Sequence, residues 1–326
     1  MGIFEKIVNQ QGWTLINGPI QLTGGFMHKM YKLETTQGIY AIKLLNPFII
    51  QRDGAMDNFK QAEKLENILE KYHISMLPAL ILNGQKMQKV DNQYYYVYDF
   101  YDGKAIKGKE IHRHHCFKIG ELLSTIHQID MKKETQEYIE MNIDWNFYLK
   151  QLKNVNQELY TSLKENYDVI IQLQNKGNLA RKKLSPILAI CHNDMDSKNV
   201  LWKDDDYRII DLECLSYNHP YMELLELALS WSGYEECDID FNLFKSFLQG
   251  YKNISQYLPS NWEVLYDSNI ERLEWLEYNL KRSLGIECSE DEKEIGVAQV
   301  KETIKLICYY DKVKEEVLTC CEIMNT

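Results

Sequence analysis

The stretch that decides the fold is His192–Asn199, with the sequence H-N-D-M-D-S-K-N, together with the segment I-I-D-L-E at Ile209–Glu213. The first segment supplies a carboxylate at Asp194 and an amide at Asn199, and the second supplies another carboxylate at Asp211. Carboxylate and amide oxygens suit Mg²⁺ better than zinc. The two segments therefore predict a magnesium site made from hard oxygen ligands.

The residues between the two segments predict a β-hairpin. Val200–Trp202 and Tyr207–Ile210 are short apolar runs on either side of the polar turn Lys203–Asp206. An antiparallel hairpin returns its two ends to the same place. We therefore expect Asp194, in the loop that enters the hairpin, to lie close to Asp211, where the hairpin ends.

The spacing H-x-D-x-x-x-x-N matches the catalytic loop of kinases, in which the Asp accepts the proton of the substrate hydroxyl and the Asn binds metal. In kinases, an Asp after the next strand holds Mg²⁺ against the nucleotide phosphates. The pattern thus predicts Asp194 as catalytic base and Asn199 and Asp211 as metal ligands. Asp and Asn also cap ordinary turns, so the prediction depends on the strand context and the second Asp. His192 is expected to be a buried, hydrogen-bonded packing residue.

The amino-terminal part of the chain offers candidates for nucleotide binding. Adjacent glycines such as Gly24 and Gly25 let a backbone approach phosphates, although the pair alone is more typical of an ordinary hairpin turn. Lys43 lies in the apolar strand predicted at Gly38–Leu45, where burial of its ammonium is costly unless anions are near. A nucleotide phosphate and a helix glutamate would supply those anions. The alternative is a lysine on a solvent-facing side of the strand.

A helix is predicted over Asp57–Tyr72, because apolar residues recur there at helical spacing. Glu63 lies on this helix and is predicted to pair with Lys43. Glu66 and Glu70 are competing candidates on the same helix.

Two further strands are predicted at Leu80–Leu82 and Tyr94–Phe100, and the chain then reaches a turn signal at Asp102-Gly103. A β-rich front is joined here to a helical remainder. The prediction is a nucleotide-binding lobe at residues 1–101 and a catalytic and acceptor-binding lobe at residues 102–326. The nucleotide base is expected beside the residues at this junction: Tyr98, Asp99, Phe100 and Tyr101.

In combination, these motifs resemble the aminoglycoside phosphotransferase family, the small-molecule kinase branch of the protein-kinase-like fold. The matching features are Gly24-Gly25, Ala41-Ile42-Lys43, Glu63 with Pro78, Asp99–Gly103, His192-x-Asp194-x-x-x-x-Asn199 and Ile210–Glu213. The resemblance implies an α+β, two-lobed fold with a small, mostly antiparallel β amino-terminal lobe and a larger, mainly helical carboxy-terminal lobe. Family members usually read H-G-D where this chain has Asn193, and we do not expect that change to inactivate the site.

The resemblance also implies a reaction. A nucleoside triphosphate, ATP or GTP, would give its γ-phosphate to a hydroxyl of an aminoglycoside-like compound or another amine or sugar metabolite. Asp194 would be the base, Asn199 and Asp211 would hold Mg²⁺, and Lys43 would hold the α- and β-phosphates. The alternatives are a choline, ethanolamine or homoserine type of kinase, and a non-catalytic structural protein like the spore-coat relatives. The lack of D-F-G and A-P-E motifs argues against a protein kinase.

Acceptor contacts are expected from carboxylates and aromatic side chains after Asp211 and in the last helices. The candidates are Glu213, Glu235, Glu236 and Trp275. Glu213 is the first choice because it follows the metal-binding Asp closely, and its alternative role is to brace the catalytic loop.

Beyond the junction the apolar spacing is helical. Helices are predicted at Ile111–Ile129, twice within Trp145–Lys182, and at Met222–Trp231, Asn242–Tyr251, Val264–Leu284 and Asp291–Cys321.

Length and composition set limits on the class of protein. A chain of 326 residues with 45% hydrophobic residues can bury a large core. The formal charge of −11 argues against nucleic-acid binding and is compatible with a cationic acceptor. The sequence lacks both an apolar run long enough to span a membrane and a signal-peptide core. Its eight cysteines form no C-x-x-C pair, so free thiols in a reducing cytoplasm are expected.

Overall fold

The computed structural model describes residues 2–22, 28–135, 137–286, 288 and 290–325. The chain forms two compact units. Unit 1 is Met1–Glu110 with Ile190–Tyr217, and unit 2 is Ile111–Ala189 with Asn218–Thr326. The segment that carries the kinase-like motifs therefore belongs to the same unit as the amino-terminal sheet. The lobe boundary at residue 101 remains a prediction.

Unit 1 is built on a five-stranded antiparallel sheet. Its strands are β1 (Leu15–Gln21), β2 (Lys29–Thr35), β3 (Gly38–Leu44), β4 (Gln88–Val90) and β5 (Gln93–Asp99), in the order β1-β2-β3-β5-β4. The central strand β3 is buried along Ala41–Lys43, so it holds the lysine inside the unit.

Three helices accompany this sheet: α1 (Ile3–Gln10), α2 (Pro47–Ile50) and α3 (Ala55–Lys71). α1 packs Ile7 against fully buried Leu33, Ile42 and Val97 on three different strands. Burial of such side chains contributes roughly 1.5–3 kcal/mol each. α3 confirms the helix predicted at Asp57–Tyr72.

The strand predicted at Leu80–Leu82 is wrong. Leu80 donates its N–H to the carbonyl of Val97 at 2.8 Å, but the chain then turns back through Asn83 and Gly84, which both have positive φ. The tight turn leaves only an isolated bridge between Leu82 and Gln85. An apolar run of this length could not reveal the turn that shortens it.

The predicted hairpin is confirmed. β8 (Val200–Lys203) pairs with β9 (Asp206–Ile209), and Val200 lies opposite Ile209. A short strand, β6 (Lys104–Ala105), pairs with β8 on its other side. Two more short strands, β7 (Ala189–Cys191) and β10 (Ser216–Asn218), pair with each other. β7 lies just before His192 in the chain, and β10 lies after Glu213.

Unit 2 is helical. Its helices are α4 (Arg113–Ile129), α5 (Trp145–Val155), α6 (Gln157–Glu165), α7 (Tyr167–Arg181), α8 (Pro220–Ser230), α9 (Phe241–Ser255), α10 (Trp262–Ser268), α11 (Glu271–Ser283) and α12 (Glu290–Asn325). Among the residues that the structure describes, no helix is both long enough and apolar enough to cross a membrane.

Two helix predictions in unit 2 are corrected. The region predicted as two helices holds three, because Asn156 begins a separate helix by accepting from the N–H of Leu159. Gly177 does not break α7, and its missing side chain makes room for Ile270, since a Cβ there would lie 2.3 Å from Ile270 Cγ2. The helix predicted at Val264–Leu284 is interrupted at Asn269, between α10 and α11.

Helices α4 and α9 cross with their backbones almost in contact, and a glycine on each makes this approach feasible. A Cβ on Gly120 would lie 2.2 Å from the carbonyl oxygen of Phe247. A Cβ on Gly250 would lie 2.0 Å from the carbonyl oxygen of Phe117. Both contacts are to backbone, which cannot move aside as a side chain can.

We expect Gly120→Ala to lower the free energy of unfolding by about 1–3 kcal/mol, because the added methyl group overpacks the crossing. Helix propensity alone would make the alanine variant more stable by about 1 kcal/mol. A decrease in stability would therefore come from the steric overlap at the crossing. Thermal unfolding measures it, with Thr125→Ala on the exposed face of α4 as the control. A Gly120→Ala protein as stable as the wild type would contradict the close crossing.

Candidate active site

The loop His192–Asn199 brings Asp194 and Asn199 into direct contact. The Nδ2 of Asn199 donates to Asp194 Oδ2 at 2.8 Å and to the Asp194 carbonyl at 2.7 Å. The amide nitrogen of Asn199 donates these two hydrogen bonds, so its amide oxygen is the side-chain atom that could bind a cation. The Asp194 side chain keeps 33% of its surface exposed, so one face of the carboxylate is accessible.

The peptide of Ile210 holds the loop in place. Its N–H donates to the carbonyl of Asn199 at 2.9 Å, and its carbonyl accepts from His192 Nε2 at 3.0 Å. The other ring nitrogen of His192 accepts from the N–H of Asp194 at 3.3 Å. A backbone N–H can only donate, so the proton of this buried histidine lies on Nε2. His192 is thus the hydrogen-bonded packing residue that the sequence predicts.

Asp211 follows this peptide in a left-handed backbone conformation, with φ 64° and ψ 51°. Such a conformation is uncommon for a residue other than glycine, and strain of this kind concentrates at functional sites. Its Oδ1 accepts from Lys43 Nζ at 2.5 Å, and a third of the side chain is exposed. Together with the Asn199 oxygen, this carboxylate provides an oxygen-only donor set, which fits Mg²⁺.

Lys43 is 5% exposed, which rules out the solvent-facing alternative. Its Nζ donates to Asp211 Oδ1 and to Glu213 Oε2, both at 2.5 Å. Burial by itself would lower the pKa of Lys43, but the two carboxylates outweigh burial and raise the pKa above its ordinary value. The side chain is therefore a buried ammonium.

The predicted pair of Lys43 with Glu63 is not formed. Glu63 accepts from the hydroxyl of Tyr96 at 2.8 Å. Glu66, the nearest alternative on α3, accepts from the N–H of Ala79 at 2.6 Å and pairs with a buried lysine, Lys86, at 2.9 Å. The helix glutamates have other donors, and the two carboxylates of the D-L-E segment reach the Lys43 ammonium instead.

Glu213 has both oxygens engaged. Oε1 lies 3.0 Å from His28 Nε2, and Oε2 binds Lys43. Burial raises the pKa of Glu213, but the hydrogen bond from His28 and the charge of Lys43 outweigh burial and lower the pKa to about 2. These contacts favour the bracing role of Glu213 over the acceptor-binding role.

At the end of β5, the backbone N–H and carbonyl of Asp99 are directed away from the neighbouring strand β3. The N–H of Phe100 donates to the carbonyl of Ile39, and Tyr40 lies opposite Asp99. Antiparallel pairs alternate between hydrogen-bonded and non-hydrogen-bonded. Asp99 is therefore in a non-hydrogen-bonded pair, and its N–H and carbonyl point away from β3. The side chain of Tyr98 is partly buried beside this edge, and burial raises the pKa of its hydroxyl.

Several predicted site residues are not brought into this cluster. Gly24 and Gly25 lie outside the described residues. In unit 2, Glu235 and Glu236 are exposed after α8, and Trp275 on α11 is 43% exposed and stacks on Tyr278. Tyr101, also named for the nucleotide base, lies in unit 1 and donates its hydroxyl to Asp206. The acceptor roles of the unit 2 residues remain predictions.

Sequence reasoning missed His28 and Lys198. Lys198 Nζ lies 3.0 Å from Asp194 Oδ1 and 2.8 Å from Asp196 Oδ2. Burial raises the pKa of Asp194, the charge of Lys198 lowers it, and the result lies above the ordinary value. The position of Lys198 just before the motif asparagine was a usable signal. His28 has no local signal, because its partner Glu213 lies far along the chain.

Asn193 stands where the family resemblance leads us to expect glycine, and its backbone geometry is one that asparagine tolerates. Its φ of 63° is left-handed, a conformation that asparagine tolerates better than most residues. Its Nδ2 donates to the carbonyl of Cys214 at 2.8 Å and to Ser216 Oγ at 3.0 Å. The side chain thereby ties the catalytic loop to the segment after Glu213.

Comparison with known proteins identifies the family of the chain. Residues 20–257 match the family model described as the phosphotransferase enzyme family. The chain belongs to this family. No curated protein sequence matches it closely enough to count.

Three solved structures illustrate the likeness of fold. Spectinomycin phosphotransferase with ADP and spectinomycin has a TM-score of 0.69 at 13% identity, covering 94% of this chain and 98% of that chain. Amicoumacin kinase with AMP-PNP and Ca²⁺ has a TM-score of 0.61 at 12% identity, covering 94% of each chain. Plasmodium vivax ethanolamine kinase has a TM-score of 0.54 at 17% identity, covering 87% and 80%.

These findings confirm the family resemblance, the α+β kinase-like fold and the prediction that the chain is a phosphotransferase of small molecules.

We expect Asn193→Ala to lower the free energy of unfolding by about 1–3 kcal/mol, because it removes the side-chain hydrogen bonds to Cys214 and Ser216 and places an alanine at positive φ. Asn193→Gly loses the same hydrogen bonds without the backbone strain, so it should be the more stable of the two. Denaturant unfolding compares them, with Asn58→Ala on the exposed side of α3 as the control. Equal stabilities for the two Asn193 variants would contradict the strain argument.

Proposed function

We propose that this protein transfers the γ-phosphoryl group of a nucleoside triphosphate to a hydroxyl of a small molecule. The observation that carries the proposal is the arrangement around Ile210. The backbone N–H and carbonyl of Ile210 bind Asn199 and His192 at the two ends of the loop that carries Asp194. The next residue, Asp211, accepts from the buried ammonium of Lys43. A base, a hard cation site and a fixed positive charge are the parts that phosphoryl transfer needs.

Asp194 is suited to accept the proton of the acceptor hydroxyl. Asn199 holds one carboxylate oxygen, which fixes the rotation of the group. Partial burial raises the pKa of Asp194, and a raised pKa makes a carboxylate a better proton acceptor near neutral pH.

Asn199 and Asp211 would hold Mg²⁺, which when bound neutralises charge on the phosphates. Lys43 would contribute its ammonium to the α- and β-phosphates. Because its charge is already held in place, no reorganisation is needed as negative charge develops, which is the usual source of electrostatic catalysis.

The nucleotide base is proposed to lie along Asp99–Tyr101. The carbonyl of Asp99 points away from β3 and can accept from an exocyclic amine, as adenine has, and its N–H can donate to a ring nitrogen or a carbonyl. ATP and GTP are both retained as donors, and direct competition between them distinguishes the two.

The acceptor is proposed to be a hydroxyl compound that carries an amine or a sugar. The structural relatives include an antibiotic phosphotransferase and an ethanolamine kinase. The net charge of −11 favours cationic over anionic acceptors. A choline or ethanolamine type of metabolite kinase is the second candidate. The presence of Lys43, Asp194, Asn199 and Asp211 in one connected cluster argues against a non-catalytic, spore-coat type of role.

A nucleotide-consumption screen tests the proposal. The protein is incubated with Mg²⁺ and either ATP or GTP against a panel of aminoglycosides, amino alcohols and sugar metabolites. Consumption that depends on one acceptor class, and on Asp194, supports the proposal and names the class. Absence of both consumption and Mg²⁺–nucleotide binding would favour the structural role.

We expect Asp194→Asn to lower kcat by about 10²–10⁴-fold, because the general base is lost. The affinity for Mg²⁺–nucleotide should stay within about twofold, since the amide keeps the shape of the carboxylate and adds no steric conflict. Asp57→Asn, on an exposed position of α3, is the matched control. Full turnover by Asp194→Asn would exclude this residue as the base.

A further inference from the structure

We propose that Glu213, oriented by His28, is the residue that positions the catalytic lysine of this enzyme. The inference rests on the proposed function, in which Lys43 binds the nucleotide phosphates. The carboxylate that holds Lys43 is thus placed in the D-L-E segment, which also carries the proposed metal ligand Asp211, and not in helix α3.

The orientation of Glu213 follows from the proton position on His28. The backbone N–H of Asn46 donates to His28 Nδ1 at 2.9 Å. An N–H cannot accept a hydrogen bond, so Nδ1 is unprotonated and the ring proton lies on Nε2. Nε2 then donates to Glu213 Oε1 at 3.0 Å, which turns the other oxygen, Oε2, toward Lys43.

His28 is itself fixed in place. Its side chain is 4% exposed, and its ring lies near the ring of Phe59 on α3. A donor that is held by a backbone group and by packing presents a single hydrogen to a single carboxylate oxygen. This makes His28 a rigid support for Glu213 rather than a mobile partner.

The glutamates of α3 are committed elsewhere. In protein kinases the strand lysine is held by a glutamate of the following helix. Here Glu63 accepts a hydrogen bond from the hydroxyl of Tyr96. Glu66 pairs with Lys86 and accepts from the N–H of Ala79. Glu213 is the carboxylate that shares the Lys43 ammonium with Asp211.

Among the residues that the structure describes, Asp211 and Glu213 are the two carboxylates that accept from the buried ammonium of Lys43. Without Glu213, Asp211 would be left to compensate that charge. The same Asp211 is needed for the cation. Glu213 therefore keeps Lys43 extended between two carboxylates and leaves Asp211 able to bind metal.

A double-mutant cycle tests whether Glu213 acts through Lys43. Binding of Mg²⁺–AMP-PNP is measured by titration calorimetry for the wild type, Glu213→Gln, Lys43→Met and the double variant. This probe needs no acceptor. In Glu213→Gln, the amide NH₂ faces one of the two donors, so we expect roughly tenfold weaker binding. In the Lys43→Met background the same change should alter the affinity by less than about twofold, because the group that it positions is gone.

The other outcomes are decisive. If Glu213→Gln weakens binding equally in both backgrounds, Glu213 acts directly on the metal or nucleotide, and the inference is wrong. If Glu213→Gln binds as the wild type does, Glu213 has no positioning role. If the wild type does not bind Mg²⁺–AMP-PNP, the proposed function itself is wrong. If the wild type binds and the Glu213 variants behave as just described, only the positioning role is wrong.

His28 variants provide an independent readout. His28→Leu removes the donor to Glu213 and should weaken Mg²⁺–AMP-PNP binding several-fold, whereas His28→Gln can donate from its amide and should recover part of the affinity. Glu315→Gln, on an exposed position of α12, is the control. Thermal unfolding of each variant separates loss of affinity from loss of fold. Equal affinities for the Leu and Gln variants, with both folded, would exclude His28 as the support.

Discussion

The buried ammonium of Lys43 is the constraint on which unit 1 depends. A single charge inside a protein is strongly unfavourable unless oppositely charged groups and hydrogen bonds compensate it. Asp211 and Glu213 provide that compensation at 2.5 Å each, from a segment that lies about half the chain away from β3. The sheet, the hairpin and the D-L-E turn must all be in place before the charge is satisfied. This contact therefore couples the amino-terminal strands to the catalytic segment.

Backbone hydrogen bonds then convert this coupling into a defined arrangement of side chains. The peptide of Ile210 binds His192 on one side and Asn199 on the other, so the two ends of the loop are fixed by the residue before Asp211. Asn193 and Asp211 take left-handed conformations on either side of this contact. The fixed spacing of the motif reflects this geometry, because an inserted or deleted residue would break one of the two hydrogen bonds to Ile210.

These local dependences explain what the sequence could predict. The hairpin and α3 were readable because each is decided by residues close together in the chain, and the contact of Asp194 with Asn199 is local for the same reason. Glu63 was chosen from three glutamates at helical spacing, and spacing cannot show that Tyr96 already binds it. His28 was missed because its hydrogen bonds join distant segments. The Leu80–Leu82 run was misread because the turn at Asn83-Gly84 follows it directly. Gly177 was misread because the packing of Ile270 against α7, which favours a glycine there, joins distant parts of the chain.

The candidates for base and metal ligands and the candidates for acceptor contacts fall in different units of the chain. The hydrogen bonds described around Ile210 and Lys43 join residues of unit 1. The predicted acceptor candidates Glu235, Glu236 and Trp275 lie in unit 2. Under the proposed acceptor role, substitutions at these positions would change which molecule is recognised and leave the contacts around the buried ammonium of Lys43 in place. A fold at 12–17% identity can thus serve spectinomycin in one relative and ethanolamine in another.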